Sequence, residues 1–475
     1  MFQKMSILDF EEQMASLKLT SREIVSWYLS RIEEFDGKIN SIAEINPEAL
    51  QIADALDVER KWGNPRSVLH GIPVLIKDNI DTADKMMTTA GSLALSGHYA
   101  REDADIIRNL RMAGAVILGK TNLSEWANFR GANSVSGWSS KGGQVRNPHN
   151  LDKTPCGSSS GSAAAIAAGF SPLAIGTETD GSITCPSAIN GVVGFKPTLT
   201  KISQRGIIPI AHSQDTAGPI AKTVSEVAIL ASFMQKKFRD LSQGFDKFSL
   251  RGKRIGVVKN LFGYNEELDK VILQSIAAMK DFGAEIIDLE IDTAGKLGES
   301  EITVLLFEYK QDLNKYLAKL DDGFPKSIKE LIEFNERNKE KVMPYFGQEY
   351  MVAAAGTTDL SDPKYLKAKE EALRLSREEG IDRAIQENKL DALCAPTTGP
   401  AWDIDYNKGD IYSGGSAGLA AVAGYPSITV PAGTVAGMPV GISFFGTADS
   451  DEKLLQIAYS YEQLTIARVE PRLVG

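Results

Sequence analysis

Two hydrophobic periods alternate along this chain. Thr20 and Glu23 form a capping box ahead of Ile24, Val25, Tyr28, Leu29, Ile32 and Phe35, which fall on one helical face, with Gly37 just past the expected end. Pro73 to Ile76 is a short, wholly apolar run that reads as a buried strand ending at Lys77. Asp105 to Met112 predicts a helix closed by Gly114, and Ala115 to Leu118 the next strand. Ser162 to Ala168 predicts a helix of small residues stopped by Gly169, with a strand from Pro172 to Ile175. Beyond residue 250 the alternation resumes with a strand at Arg254–Val258, a helix over 267–282 and a strand at Glu285–Leu289.

From about 300 to 390 the pattern changes to long, charge-rich helical stretches. Strands return at 391–395, 427–430 and 440–445, and a last helix spans 451–466. Strands alternating with helices predict an α/β fold with a large, mostly parallel or mixed central sheet covered by helices on both faces. No Pro-rich or charged linker and no internal repeat interrupts the chain. It therefore reads as one domain over 1–475, with an N-terminal helical region (1–65), a core (66–220) and a helical cap or insertion (300–390).

Composition narrows the function class. Over 475 residues, 43% hydrophobic and 24% charged residues exclude disordered, collagen-like and coiled-coil chains. The balance of 52 basic against 62 acidic residues, net −10, gives no basic stripe, so no nucleic-acid partner is expected. No apolar run approaches the ~18 residues of a membrane span, so no membrane partner is expected either. The start, MFQKMSILDFEEQ, lacks the apolar stretch of a secretory signal, and the expected location is cytoplasmic. Cys156, Cys185 and Cys394 are too few and too scattered for a disulfide framework, and Cys156 and Cys185 are expected as small buried side chains. His70, His98, His149 and His212 share no zinc-binding spacing, so neither a metal nor another cofactor is expected.

One stretch departs from the average. Gly131 to Gly194 holds 11 Gly and 11 Ser in 64 residues, with only six formal charges (Lys141, Arg146, Asp152, Lys153, Glu178 and Asp180). Such a segment is either a flexible linker or a buried site built from backbone N–H groups and hydroxyls. Gly157 to Gly161 (GSSSG) satisfies a nucleophile-elbow pattern centred on Ser159. The residues before it read as loop rather than strand, and His212, the only downstream histidine, comes too early in the chain, so an α/β-hydrolase is set aside. A serine hydrolase without histidine needs another base, and Lys77 at the strand end is the candidate. A buried, hydroxyl-lined lysine loses proton affinity, by roughly 3 units, and can then accept a proton. Gly176 to Ile183 (GTETDGSI) follows a predicted strand, and a turn there presents successive N–H groups as an oxyanion hole, with Ser182 placed as nucleophile.

Taken together, Gly71–Asn79 (GIPVLIKDN), Cys156–Ala163 (CGSSSGSA), Gly176–Ile183 (GTETDGSI), Asn190–Thr198 (NGVVGFKPT) and Asp215–Pro219 (DTAGP) resemble the amidase signature family over nearly the whole chain. The resemblance implies a Ser–Ser–Lys triad in an amide hydrolase: Ser182 as acyl-enzyme nucleophile, Ser158 as a bridging serine after a cis peptide bond, and Lys77 as base. It also implies an oxyanion hole from the N–H groups of Thr179, Asp180, Gly181 and Ser182. Two departures bear on the branch. The family often reads Gly-Gly-Ser-Ile-Arg around the nucleophile, whereas this chain has Asp180, Gly181, Ser182, Ile183 and Thr184. Asp tolerates left-handed backbone better than most residues, so the turn survives at Asp180. Without the arginine, the chain looks less like the glutamine-hydrolysing subunit of a tRNA-dependent amidotransferase, and more like the bacterial peptide amidase branch. Ser160 also replaces a common glycine.

The expected reaction is release of ammonia from a carboxamide, either a peptide C-terminal amide or a small aliphatic or aryl amide, by a monomer or homodimer. Asn128 and Ser134 are candidate substrate contacts. The alternatives are the amidotransferase role and a non-catalytic member acting as a binding module. If Lys77 is neutral, no carboxylate pairs with it, and Glu178 and Asp180 point away from its amine.

Overall fold

The apolar run ahead of Lys77 lies well inside a sheet of eleven strands in the computed structural model, which describes residues 2–473. The strands are β1 (Ile42–Ile45), β2 (Pro73–Lys77), β3 (Val116–Thr121), β4 (Leu173–Glu178), β5 (Val193–Lys196), β6 (Thr216–Ala221), β7 (Arg254–Val258), β8 (Glu285–Leu289), β9 (Ala392–Pro396), β10 (Ser427–Val435) and β11 (Met438–Phe445). Their spatial order is β1-β3-β2-β4-β6-β5-β10-β11-β9-β7-β8. The sheet is mixed. β2 runs parallel to β3 and β4, and β7 parallel to β8 and β9. The other neighbours are antiparallel. Much of that antiparallel part comes from β5 and β6, which the hydrophobic pattern did not single out. Gly218 and Pro219 lie within β6, and both residue types weaken a strand signal.

Local signals placed most elements well. Thr20 and Glu23 form the reciprocal cap of the helix Ser21–Ile39. That helix runs through Gly37 and ends at Asn40, which takes the left-handed position expected after it (φ 58°). Gly114 and Gly169 close the helices Asp105–Ala113 and Ser160–Ala168 in the same conformation. The helix Ser160–Ala168 carries only Ser, Gly, Ala and one Ile, all buried. These small side chains let it lie close against the sheet, where the Ser162 hydroxyl donates to the Ile175 carbonyl at 3.0 Å.

The helices Gly298–Leu317, Ile328–Arg337 and Glu349–Ala355 build a separate apolar cluster. Leu305, Tyr309, Leu313, Leu331 and Met351 pack there against Trp126, Phe129, Ile208 and Ile210. This cluster adjoins the ends of β2 and β4. Because those two strands are parallel neighbours, Lys77 and Glu178 end at the same sheet margin, where open α/β sheets hold their ligands. Among the described residues, no helix is long and apolar enough to cross a membrane.

Candidate active site

Strand register builds the centre of the site. Ile76 pairs with Ile175, so Lys77 and the residues just past Ile175, Gly176 and Thr177, come together at the strand ends. Lys77 is fully buried, and its Nζ lies 2.8 Å from Ser158 Oγ, 3.0 Å from Ser159 Oγ, 2.8 Å from Thr177 Oγ1 and 3.2 Å from the Thr177 carbonyl. Every neighbour is a hydroxyl or a carbonyl. Burial pushes the Lys77 proton affinity well below that of a free lysine, and the more distant Asp215 and Glu178 only partly offset this. The expected separation from the two carboxylates holds. One Glu178 oxygen accepts the N–H groups of Ile183 (2.7 Å) and Thr184 (2.9 Å), capping the helix Thr184–Ile189, and Asp180 makes no ion pair with Lys77.

The hydroxyls around Lys77 are not equivalent. Ser159 Oγ donates to the Thr177 carbonyl (3.0 Å) and accepts the Thr177 N–H (3.1 Å), which locks it at the helix start. The elbow-like pattern is therefore a helix entry, and Ser159 is held away from a nucleophile's role. Thr177 Oγ1 accepts from Asn79 Nδ2 at 3.0 Å. Among the described residues, Ser158 Oγ has Lys77 Nζ as its one partner, so its proton is free to turn toward either side. The Gly157–Ser158 peptide bond is cis, as the family resemblance implies. A side chain at Gly157 would collide with Ser124 Oγ at 2.2 Å, which accounts for glycine there.

Ser182 sits beside this loop, since its carbonyl accepts the Ser159 N–H at 3.1 Å. Ser182 lines a pocket of about 490 Å³. Strand β4 runs through Glu178, so the turn is tighter than the sequence suggests and begins at Thr179. Gly181 rather than Asp180 takes the left-handed conformation (φ 77°), so the tolerance expected of Asp180 is not called upon. The N–H groups of Asp180, Gly181 and Ser182 donate to no acceptor among the described residues, which leaves them available for an oxyanion. Thr179 Oγ1 donates to Asp215 at 2.6 Å, and Asp215 also accepts the N–H groups of Ile210 and Ala211. Burial raises the Asp215 carboxyl to about 7.

The two cysteines correct the sequence reading. Cys156 and Cys185 are not independent buried side chains but form a disulfide, with Cα atoms 6.1 Å apart. They are 29 residues apart in the chain, and only the meeting of the two serine-bearing loops brings them together. The bridge thus ties the Ser158 loop to the Ser182 turn. Cys394 is a free, buried thiol.

Asn128 and Ser134 both line the pocket wall. Sequence reasoning missed Asp410, which accepts from the Ser136 N–H (3.1 Å) and Oγ (2.6 Å), from Trp402 Nε1 (3.1 Å) and from the Asn128 side chain. It also assigned nothing to Thr177, near the end of β4, or to Asn79, in the turn that follows β2. Leu305 and Tyr350 reach the pocket from the helical block, and Trp402 and Tyr412 from the loop after β9. His212, Glu308 and Asp312 come within 4.8 Å of one another despite their separation in sequence. Their atoms already serve protein partners: His212 Nδ1 meets Asp312 at 2.7 Å, and Glu308 accepts from Tyr365, Lys369 and the Ser213 N–H.

Comparison with known proteins identifies the family. A sequence model of the Amidase family matches residues 23–455. A probable amidase of Arabidopsis thaliana is 38% identical over 495 residues, covering 100% of this chain and 92% of that one. A glutamyl-tRNA(Gln) amidotransferase subunit of Halorhodospira halophila is 33% identical over 476 residues, covering 94% of each. Among solved structures, a peptide amidase in complex with the competitive inhibitor chymostatin superposes with a TM-score of 0.96 at 46% identity, covering 99% of both chains. The native peptide amidase from Stenotrophomonas maltophilia gives 0.95 at 45%, with the same coverage. With the family pattern spanning most of its length, this chain belongs to the Amidase family and is an amide hydrolase.

Proposed function

We propose that the enzyme releases ammonia from the C-terminal carboxamide of peptides through an acyl-enzyme on Ser182, with Ser158 and Lys77 moving the proton. The observation that carries this reading is the fully buried Lys77 amine with Ser158 Oγ at 2.8 Å and no carboxylate partner among the described residues. A neutral amine accepts the Ser158 proton while Ser158 takes the proton of Ser182, whose oxygen bonds to the substrate carbonyl carbon. The carbonyl π-electrons move onto oxygen, and the turn N–H groups of 179–182 stabilise that charge. Returning the proton through Ser158 to the amide nitrogen breaks the C–N bond and frees ammonia. Water then repeats the sequence, giving the carboxylic acid and restoring the Ser182 hydroxyl. The residues of the chain supply every proton transfer, so no cofactor or metal enters this scheme.

Similarity to peptide amidase structures, one of them with a bound competitive inhibitor, supports a peptide amide over a small aliphatic or aryl amide. The helical block 300–390 acts in this reading as a cap that shapes the acyl side of the pocket, through Leu305 and Tyr350. Asn128 and Ser134 are proposed to contact the peptide, with Asp410 fixing the Asn128 amide. The working unit is proposed to be a monomer or homodimer. Against the expected cytoplasmic location stands the Cys156–Cys185 bridge, since such bonds persist mainly where thiols are not kept reduced. The amidotransferase relatives favour a second reading, in which the ammonia passes to a partner protein, and that reading requires glutamine hydrolysis by this chain.

Ammonia release from a panel of peptide amides, with Ser182→Ala beside the wild type, tests the reading. The variant is expected to lose at least about 10⁴-fold in kcat. Turnover near wild type in Ser182→Ala would remove Ser182 from the mechanism. Preference for glutamine over every peptide amide would favour the amidotransferase role.

A further inference from the structure

Nearly every acidic side chain around the candidate site is already committed to a protein partner. Glu178 caps the helix Thr184–Ile189, Asp215 holds Thr179 and the 210–211 amides, and Asp410 ties Ser136, Trp402 and Asn128 together. Glu301 accepts from Gln214 Nε2 at 2.9 Å. Asp180 is the exception. Its side chain opens into the pocket that Ser182 lines, and it has neither a hydrogen-bond nor an ion-pair partner among the described residues. It stands two residues before Ser182, where the family often carries glycine, so its carboxyl is an addition to the oxyanion turn. The Asp180 carboxyl lies beside Gly418, with Oδ2 3.9 Å from where a side chain on that glycine would begin, an ordinary contact distance. Asp180 is exposed toward the pocket, and the surrounding protein, with Glu301 and Glu178 nearby, pushes its carboxyl above the usual carboxylate range.

Resting on the reading of a peptide amide bound at Ser182, we infer that the Asp180 carboxyl is a specificity-determining acceptor for the N–H borne by the substrate's α-carbon. The chemistry fixes the distance. When the scissile carbonyl oxygen lies against the amides of 180–182, the nitrogen on the α-carbon is two bonds from the carbonyl carbon, within reach of the side chain that springs from the same turn. A plain aliphatic or aryl amide has no such N–H. The substrate class selected is therefore carboxamides derived from α-amino acids, whether the nitrogen is a peptide N–H or a free ammonium. Rejection of analogues without it follows because the bound analogue would cover the acceptor and leave it unpaired.

The test compares kcat/KM for N-acetyl-leucinamide, its N-methyl analogue on the same nitrogen, free leucinamide and 4-methylpentanamide. These are measured for the wild type, Asp180→Asn and Asp180→Ala. The wild type is expected to favour N-acetyl-leucinamide over the N-methyl analogue by about ten- to a hundredfold. That ratio is expected to fall toward unity in Asp180→Ala and to survive largely in Asp180→Asn, which keeps an acceptor oxygen. The free leucinamide arm separates an ammonium from a peptide N–H as the preferred donor. An unchanged ratio in Asp180→Ala, or an equal loss on both acylated substrates, would overturn the assignment, since either result reports the turn and not the acceptor. Ammonia release from none of the four by the wild type would instead overturn the peptide-amidase reading beneath it.

Discussion

Lys77 shows how burial sets chemistry at one residue. An ammonium there would surrender its water for hydroxyls and a carbonyl, without a carboxylate in contact among the described residues, so the neutral amine is favoured. Because its proton affinity is lowered, kcat/KM is expected to rise with pH through a midpoint well below the 10.5 of an ordinary lysine and to hold on the alkaline side. Lys77→Arg separates base from donor: arginine offers hydrogen bonds but stays protonated. Both Lys77→Arg and Lys77→Ala are expected to lose several orders of magnitude in kcat with folding retained, checked by ammonia release beside thermal unfolding. Substantial activity in Lys77→Arg would show that the amine only donates. At this scale the sequence was most readable. Lys77, Ser158 and Ser182 stand out because each sits in a motif of fixed order, and strand pairing brings the loops that carry them together. Ser159 and Thr177, which complete the shell around the lysine, were not readable as such, because their part depends on which way hydroxyls point after the strands pair.

Between the two serine loops, one covalent element does what local sequence cannot announce. The Cys156–Cys185 bridge closes a segment that includes Ser158, the helix Ser160–Ala168, β4 and the Ser182 turn. A loop of that length constrains the unfolded chain by roughly 3–4 kcal/mol in the chain-entropy picture. Incubation with a dithiol reductant, or Cys156→Ser with Cys185→Ser, is therefore expected to lower the melting temperature and to reduce turnover. An unaltered melting temperature after thiol labelling of both cysteines would show the bridge to be neutral. The elements themselves were legible wherever caps and apolar runs agree: the strands Arg254–Val258 and Glu285–Leu289 match at both ends. They were illegible where tertiary pairing overrides weak local preference. β6 holds Gly218 and Pro219 yet lies between β4 and β5, and β4 extends past Gly176 because β6 pairs with it as far as Glu178.

Across the whole molecule, buried carboxyls outnumber what the site needs. Glu226 and Glu462 flank the start of the helix Val224–Met234, and burial raises both to about 7. In the native state they hold protons that an unfolded carboxyl gives up near pH 4.5. Between those values the native state binds more protons, so this contribution to stability falls as pH rises from about 4.5 to 7. Glu226→Gln is expected to change stability little at pH 5 and to raise it at pH 8 relative to the wild type, read by urea unfolding at both pH values. A difference independent of pH would show that Glu226 is ionised throughout. The α/β architecture and the helical stretches at 300–390 were visible in the periodicity, whereas the antiparallel pairings of β5 and β6 were not, because those two strands carry little periodic signal.

The central claim is a covalent one, and intact-protein and peptide mass spectrometry of the acid-quenched enzyme during turnover of a peptide amide tests it most directly. The expected result is an adduct of the acyl mass on the peptide containing Ser182, lost over time in water and absent from Ser182→Ala. An acyl adduct on another residue, or ammonia release by Ser182→Ala at the wild-type rate, would contradict the account.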